Sequence, residues 1–169
     1  RVGEETADIV SGKASRRGTK VHSILEKYLN NEDTSDFLPH VQQSLKNLKP
    51  ILDEGLGNIF GLEVALYSDH LGVAGRCDCV AQWNGVPSII DFKTSRYIKK
   101  KKKISNYFAQ GAAYAIMWEE RTGMKIPNVV VIMDGDHEKP LVFVEHRDNY
   151  TKLLKDTIDE YRTRKIFGH

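Results

Sequence analysis

Between positions 21 and 29 the apolar residues recur every three or four places, as Val21, Ile24, Leu25, Tyr28 and Leu29, which marks one buried helical stripe. The pattern predicts helix over 3–30, in one or two pieces with a break at Gly18. A second helix is predicted over 35–54, starting at or just after Pro39, because proline suits the first helical turn. The stretch 55–61 then reads as loop. The period shortens after that, with candidate strands at 61–68, 71–83 and 86–94 and an Asn84-Gly85 hairpin signal between the last two. Helical spacing returns over 104–122 and stops near Gly123. Strands follow at 128–133 and 141–146, and a last helix over 148–164 turns Leu153, Leu154, Ile158 and Tyr161 inward. Helices, three strands, a helix, two strands and a helix make a mixed central β-sheet flanked by helices, an α/β fold.

The Asn84-Gly85 turn sets a register. In a two-residue hairpin Trp83 faces Val86, and counting outward places Asp78 opposite Asp91, with both carboxylates on one face. Directly opposed Cβ atoms are roughly 5 Å apart, and like charges there are destabilising. At an effective dielectric of about 20 the repulsion is on the order of 3 kcal/mol. A shared proton or a cation would remove it, and Mg²⁺ or Mn²⁺ suits such oxygen donors. Lys93, two residues past Asp91, shares that face. A metal that activates water, with a cation that orients it, supplies the parts for phosphodiester hydrolysis. The same counting around Asp69-His70 puts Glu63 opposite Arg76, as an outer-shell ligand or simply as the partner of that arginine. The competing reading is two polar strands facing water. Against it, Ile89-Ile90-Asp91-Phe92-Lys93 is an apolar run interrupted by charge, and burying charge without a partner is costly.

Composition narrows the class. The chain has 169 residues, 40% apolar and 28% charged, which fits one globular domain, 1–169, with N-terminal helices over 1–56 and a core over 57–169. No apolar run approaches the roughly 20 residues that span a bilayer, so no membrane partner is expected. The sequence begins at Arg1 without an initiator Met, and residues ahead of it are expected in the whole protein. Cys77 and Cys79 are too few for a four-cysteine zinc or iron–sulfur site, and a disulfide between them is not expected. The net charge of +2 names no partner. Its distribution does more, with Arg16-Arg17 and the unbroken Lys99–Lys103 run making two basic spots.

Taken together, Gly75-x-x-Asp78, Asp91-Phe92-Lys93, the helical Arg17-Gly18-Thr19-Lys20-Val21-His22 before them and Gln110-x-x-x-Tyr114 after them resemble the PD-(D/E)XK nuclease superfamily, in its RecB-like branch. Within it the chain is most similar to single-strand exonucleases of the mitochondrial genome-maintenance type and their phage relatives. The resemblance runs from His22 to Tyr114 and implies a restriction-endonuclease-like αβββαβ core. It implies His22, Asp78, Asp91 and the Phe92 carbonyl around one or two Mg²⁺ or Mn²⁺ ions, Lys93 as catalytic lysine, and Glu63 as the acidic residue of the first core strand. It places Gln110 and Tyr114 on the substrate or the lysine, and Tyr107, Thr94, Ser95, Arg17 and Lys101 are added as substrate contacts. The implied substrate is DNA, single-stranded and degraded from an end, in replication, repair or recombination. The implied setting is intracellular, in a phage-infected cell or the mitochondrial matrix. The clustered cysteines and helicase motifs of several relatives are absent, so a stand-alone nuclease without an iron–sulfur cluster is implied.

Read without the resemblance, these residues keep other options. A lone histidine on an amphipathic helix is more often packed or exposed than a ligand. Tyr107, Gln110 and Tyr114 share a helix face, as core or as a surface on which bases stack. The lysine run is a solvated loop or a phosphate-contacting one. Asp134-Gly135-Asp136 matches part of a calcium loop but reads better as a turn. A non-catalytic nucleic-acid-binding module on the same fold is the rival reading, and a sequence-specific restriction endonuclease is a third.

Overall fold

The computed structural model describes residues 18–96, 104–136 and 138–167. Helix α1 covers 18–29 and α2 covers Pro39–Gly55, after which β1 (Leu56–Ser68), β2 (Val73–Trp83) and β3 (Val86–Ser95) follow in sequence. Helix α3 (Ser105–Thr122) leads to β4 (Asn128–Gly135) and β5 (Leu141–His146), and a 3₁₀ turn over Arg147–Tyr150 opens into α4 (Thr151–Phe167). The five strands form one mixed sheet in the order β1-β2-β3-β4-β5. β1, β2 and β3 are antiparallel in turn, and the neighbours β3 and β4 are joined through α3, the kind of connection a parallel pair needs. The predicted fold class holds, with the element order α-β-β-β-α-β continued by a strand and a helix.

The turns behave as their residues require. Asn84 and Gly85 have φ of 48° and 84°, the pair of positive values that an Asn-Gly hairpin turn demands, and the β2–β3 register runs from Trp83↔Val86 to Cys79↔Ile90 as counted. Helix α3 ends on Gly123 in the left-handed conformation, with its N–H donated to the Glu119 carbonyl.

By internal contacts the chain divides into two compact units. Of the described residues, the first joins 18–54 with 92–96, 133–136 and 138–141, and the second joins 55–91, 104–132 and 142–167. Val21, Ile24 and Leu25 of α1 and Val41, Leu45, Leu48 and Leu52 of α2 are buried in the first. In the second, one face of α3 (Phe108, Ala109, Ala112, Ala113, Met117) is buried, and a core cluster gathers Ala112, Tyr114, Met117 and Trp118 with Leu66, Cys77, Val80 and Ile89 from the strands. Cys79 is buried outside that cluster, and both thiols are free.

Three local expectations are corrected. The stretch 55–61 is not a loop, because α2 passes directly into β1. Gly55 makes that possible: a Cβ there would stand 2.4 Å from the Trp83 ring, and its carbonyl accepts the Asn84 N–H at 2.8 Å. Tyr161 is 66% exposed rather than turned inward. Third, Glu63 does not face Arg76. Leu62 pairs with Cys79 and Val64 with Cys77, which sets Glu63 level with Asp78. A tight turn at Asp69-His70 would oppose Glu63 to Arg76, whereas Ser68 pairs with Val73 around four residues. Gly72 (φ 67°) donates its N–H to the Ser68 carbonyl, and the Ser68 hydroxyl accepts from the Leu71 N–H and donates to Glu120.

Candidate active site

Glu63 and Asp78 come from facing strands and each offers a carboxylate oxygen, the two within 4.8 Å of one another. The strands are not regular here. Gly61, the partner of Val80, looks onto Trp118 of α3, and Gly75, the partner of Leu66, looks onto Tyr114 of the same helix. These levels lie an odd number of residues apart on each strand, so strict alternation cannot point both at α3. The pleat therefore changes phase between them. Glu63 lies in that interval with φ of 49°, a left-handed conformation that costs a non-glycine residue roughly 1–2 kcal/mol. The irregularity aims its side chain in a way no alternation rule foretells.

On β3, Asp91 is only 5% exposed and occupies the next counted position beyond Cys79↔Ile90, level with Asp78. Phe92 follows it, and the Phe92 carbonyl is met by His22 of α1, with Nε2 at 2.6 Å. A carbonyl only accepts, so in this arrangement Nε2 carries the hydrogen. Lys93 and Thr94 are half-buried and continue the strand. Gly18 at the start of α1 lies close to Thr94, where a Cβ would stand 3.5 Å from the hydroxyl oxygen. The peptide bond between Asp91 and Phe92 thus ties the carboxylate, the histidine-bound carbonyl and the lysine into three consecutive positions.

Helix α3 adds Tyr114. Its ring rests on Gly75, where a Cβ would lie 2.9 Å from both the ring edge and the hydroxyl. This explains the glycine of the Gly75-x-x-Asp78 pattern: any side chain would displace the tyrosine. Tyr114 is buried at 7% exposure and belongs to the core, whereas Gln110 one turn earlier is exposed and Tyr107 half-buried. Burial, and after it the charges of Asp91, Cys77 and Asp78, push the Tyr114 hydroxyl up to about 12, against a backbone hydrogen bond with Arg76 that lowers it. Burial and the Asp78 charge raise the Cys79 thiol to about 12 as well.

Both shifts make the fold sensitive to alkali. Raised acids favour the neutral form in the folded chain, so their contribution is complete below the unfolded pKa and is lost as pH climbs through the folded one. For Tyr114 that window runs from about 10 to about 12, and the loss is about 3 kcal/mol. Cys79 begins to contribute from about 9. Urea melts from pH 8 to 11 are expected to show falling stability, with Tyr114→Phe flattening the upper part. A Tyr114→Phe profile parallel to wild type would contradict the placement of the phenol.

The Glu63 and Asp78 carboxylates are hard oxygen donors of the kind that Mg²⁺ and Mn²⁺ accept. The expected partnership of Glu63 with Arg76 holds although the two are not directly opposed: they form an ion pair, Nε to Oε2 at 3.0 Å, diagonally across the strands. Gly72 at the end of the turn is the signal for the true register, since a glycine there lengthens the loop and moves the register by two. Arg17 and Lys101 lie outside the described residues, and Ser95, half-buried, ends β3.

Compared as a sequence, the chain matches no family model and no curated protein. Its fold is similar to the crystal structure of a candidate exonuclease from Eubacterium rectale, with a TM-score of 0.60 and 17% identity over 89% of this chain. The match spans 65% of that protein, a little under two thirds of its length. No described helix is long and apolar enough to cross a membrane.

Proposed function

We propose that this chain is a divalent-metal-dependent nuclease that hydrolyses DNA by direct attack of water, acting on single strands from an end, in replication, repair or recombination. The observation that carries the reading is the convergence of the Glu63 and Asp78 carboxylates within 4.8 Å, level with buried Asp91. Like charges so placed repel each other, and a cation relieves them. The fold likeness to a candidate exonuclease supports the same reading, as does the order of motifs from His22 to Tyr114.

The proposed roles follow from position. Asp78 and Asp91 hold the metal, with Glu63 completing the acidic side. His22 and the Phe92 carbonyl would supply the remaining protein donors. When bound, the metal lowers the pKa of a water and polarises the phosphoryl oxygen. Lys93 orients that water and stabilises the charge that develops. Exposed Gln110, with Tyr107, Thr94, Ser95, Arg17 and Lys101, contacts the substrate, and Tyr114 braces α3 against β2 beneath the acidic residues.

Digestion of 5′-labelled and 3′-labelled single-stranded and duplex DNA, with Mg²⁺, Mn²⁺ or EDTA, tests the proposal. Metal-dependent degradation that EDTA stops is expected, faster on single strands, with the ladder giving polarity. Folded protein that binds DNA in a salt-sensitive way but cleaves nothing under any condition would overturn it in favour of a binding module.

A further inference from the structure

We infer that Arg76 is the exchangeable counter-ion of this site: its guanidinium holds Glu63 while no cation is bound, and turns to a phosphate of the nucleic acid once Glu63 is committed to the metal. The inference rests on the nuclease reading above and adds to it a residue with an ordered role. Its basis is an asymmetry within one ion pair. Arg76 Nε stands 3.0 Å from Glu63 Oε2, yet the arginine side chain is 67% exposed and the glutamate only 17%. The glutamate is the fixed member, since its backbone is held at φ 49° where a residue with a Cβ stays only when its surroundings enforce it. The guanidinium is the member free to move into solvent.

Charge decides the order of events. With Glu63 and Asp78 oxygens within 4.8 Å, an unneutralised pair repels, and Arg76 relieves that at one of the two carboxylates. A divalent cation held by both carboxylates would displace a single surface guanidinium, because it carries twice the charge. The released arginine then stands beside a site where substrate phosphate binds. Its planar fork suits two phosphate oxygens at once, which a lysine ammonium does not. Arg76 should therefore oppose metal binding and favour DNA binding, but the second only after the first.

Two titrations test this on the intact chain. Isothermal calorimetry with Mn²⁺ should show Arg76→Ala binding about fivefold more tightly than wild type, because a competing positive charge near the surface is gone, and Arg76→Lys close to wild type. Glu63→Gln should bind at least about tenfold more weakly. Anisotropy of labelled single-stranded DNA should show Arg76→Ala losing about tenfold in affinity when Ca²⁺ fills the site, with the salt slope reduced by about one, and losing less than about twofold in EDTA. Arg76→Lys should keep the salt slope but lose part of the affinity, and it guards against misfolding of the alanine variant. Unchanged Mn²⁺ affinity in Arg76→Ala, or an equal loss of DNA affinity with and without Ca²⁺, would overturn the inference while leaving the nuclease reading intact. Failure of wild type to bind Mn²⁺ would overturn the nuclease reading itself.

Discussion

Lys93→Ala is expected to slow metal-dependent DNA hydrolysis by about 10²–10⁴-fold while leaving Mn²⁺ affinity and DNA affinity within about threefold of wild type. The magnitude is that of removing a pre-placed charge or donor from the position where negative charge develops. The split between activity and binding follows from the strand: Lys93 is half-buried, one residue beyond the carbonyl that His22 holds and two beyond buried Asp91. It is positioned by β3 and needs no metal to hold it. Asp91→Asn keeps the volume and loses the charge, so it should weaken Mn²⁺ binding by at least about tenfold along with activity. Single-turnover cleavage on pre-bound DNA, paired with calorimetry, separates the two variants. Wild-type rates in both would mean that the centre lies elsewhere.

The legible part of this chain was what depends on local period and turn chemistry. Asn84-Gly85 fixed the β2–β3 register because both residues accept positive φ, and that register alone set Asp78 level with Asp91. The helix through Gln110 and Tyr114 and its stop at Gly123 were legible from spacing and from glycine's tolerance of the left-handed conformation. What escaped was long-range. The β1–β2 register depends on a four-residue turn whose closing contacts include Glu120 of α3, distant in sequence. The change of pleat around Glu63 leaves no mark in the pattern, since glutamate is an ordinary strand residue until its φ is seen. The direct passage of α2 into β1 depends on the Trp83 ring covering Gly55, a contact between residues far apart in sequence. His22 was legible only through the order of motifs, as nothing in the periodicity of α1 separates it from a surface histidine. In the fold its Nε2 stands 2.6 Å from the Phe92 carbonyl, a contact 70 residues away in sequence that no local pattern carries.

Gly111→Ala should destabilise the fold by about 2 kcal/mol or more, even though local propensity alone forecasts the reverse. In a helix interior alanine is favoured over glycine by roughly 0.5–1 kcal/mol. At this position, however, a Cβ would stand 2.2 Å from Val129 Cγ1 and 3.1 Å from its Cγ2. Val129 is fully buried on β4, and a β-branched side chain has few rotamers with which to retreat. Overpacking of this kind costs about 1–3 kcal/mol beyond the propensity gain, and each kcal/mol moves the midpoint of a chain this size by roughly 2–4 °C. Gly123→Ala is the contrast: its φ of 74° strains an alanine, but no atom lies within 4 Å, so a loss of about 1 kcal/mol is expected from backbone alone. Thermal melts of both variants, with Gly111→Ala/Val129→Ala as a third, separate crowding from backbone strain. If crowding is the cause, the double variant recovers part of what the single one loses. Because Gly111 sits between Gln110 and Tyr114, a helix pushed off β4 also moves the ring that rests on Gly75. Cleavage should then fall further in Gly111→Ala than in Gly123→Ala at temperatures where both remain folded, and equal activities would show that the position of α3 does not govern the site.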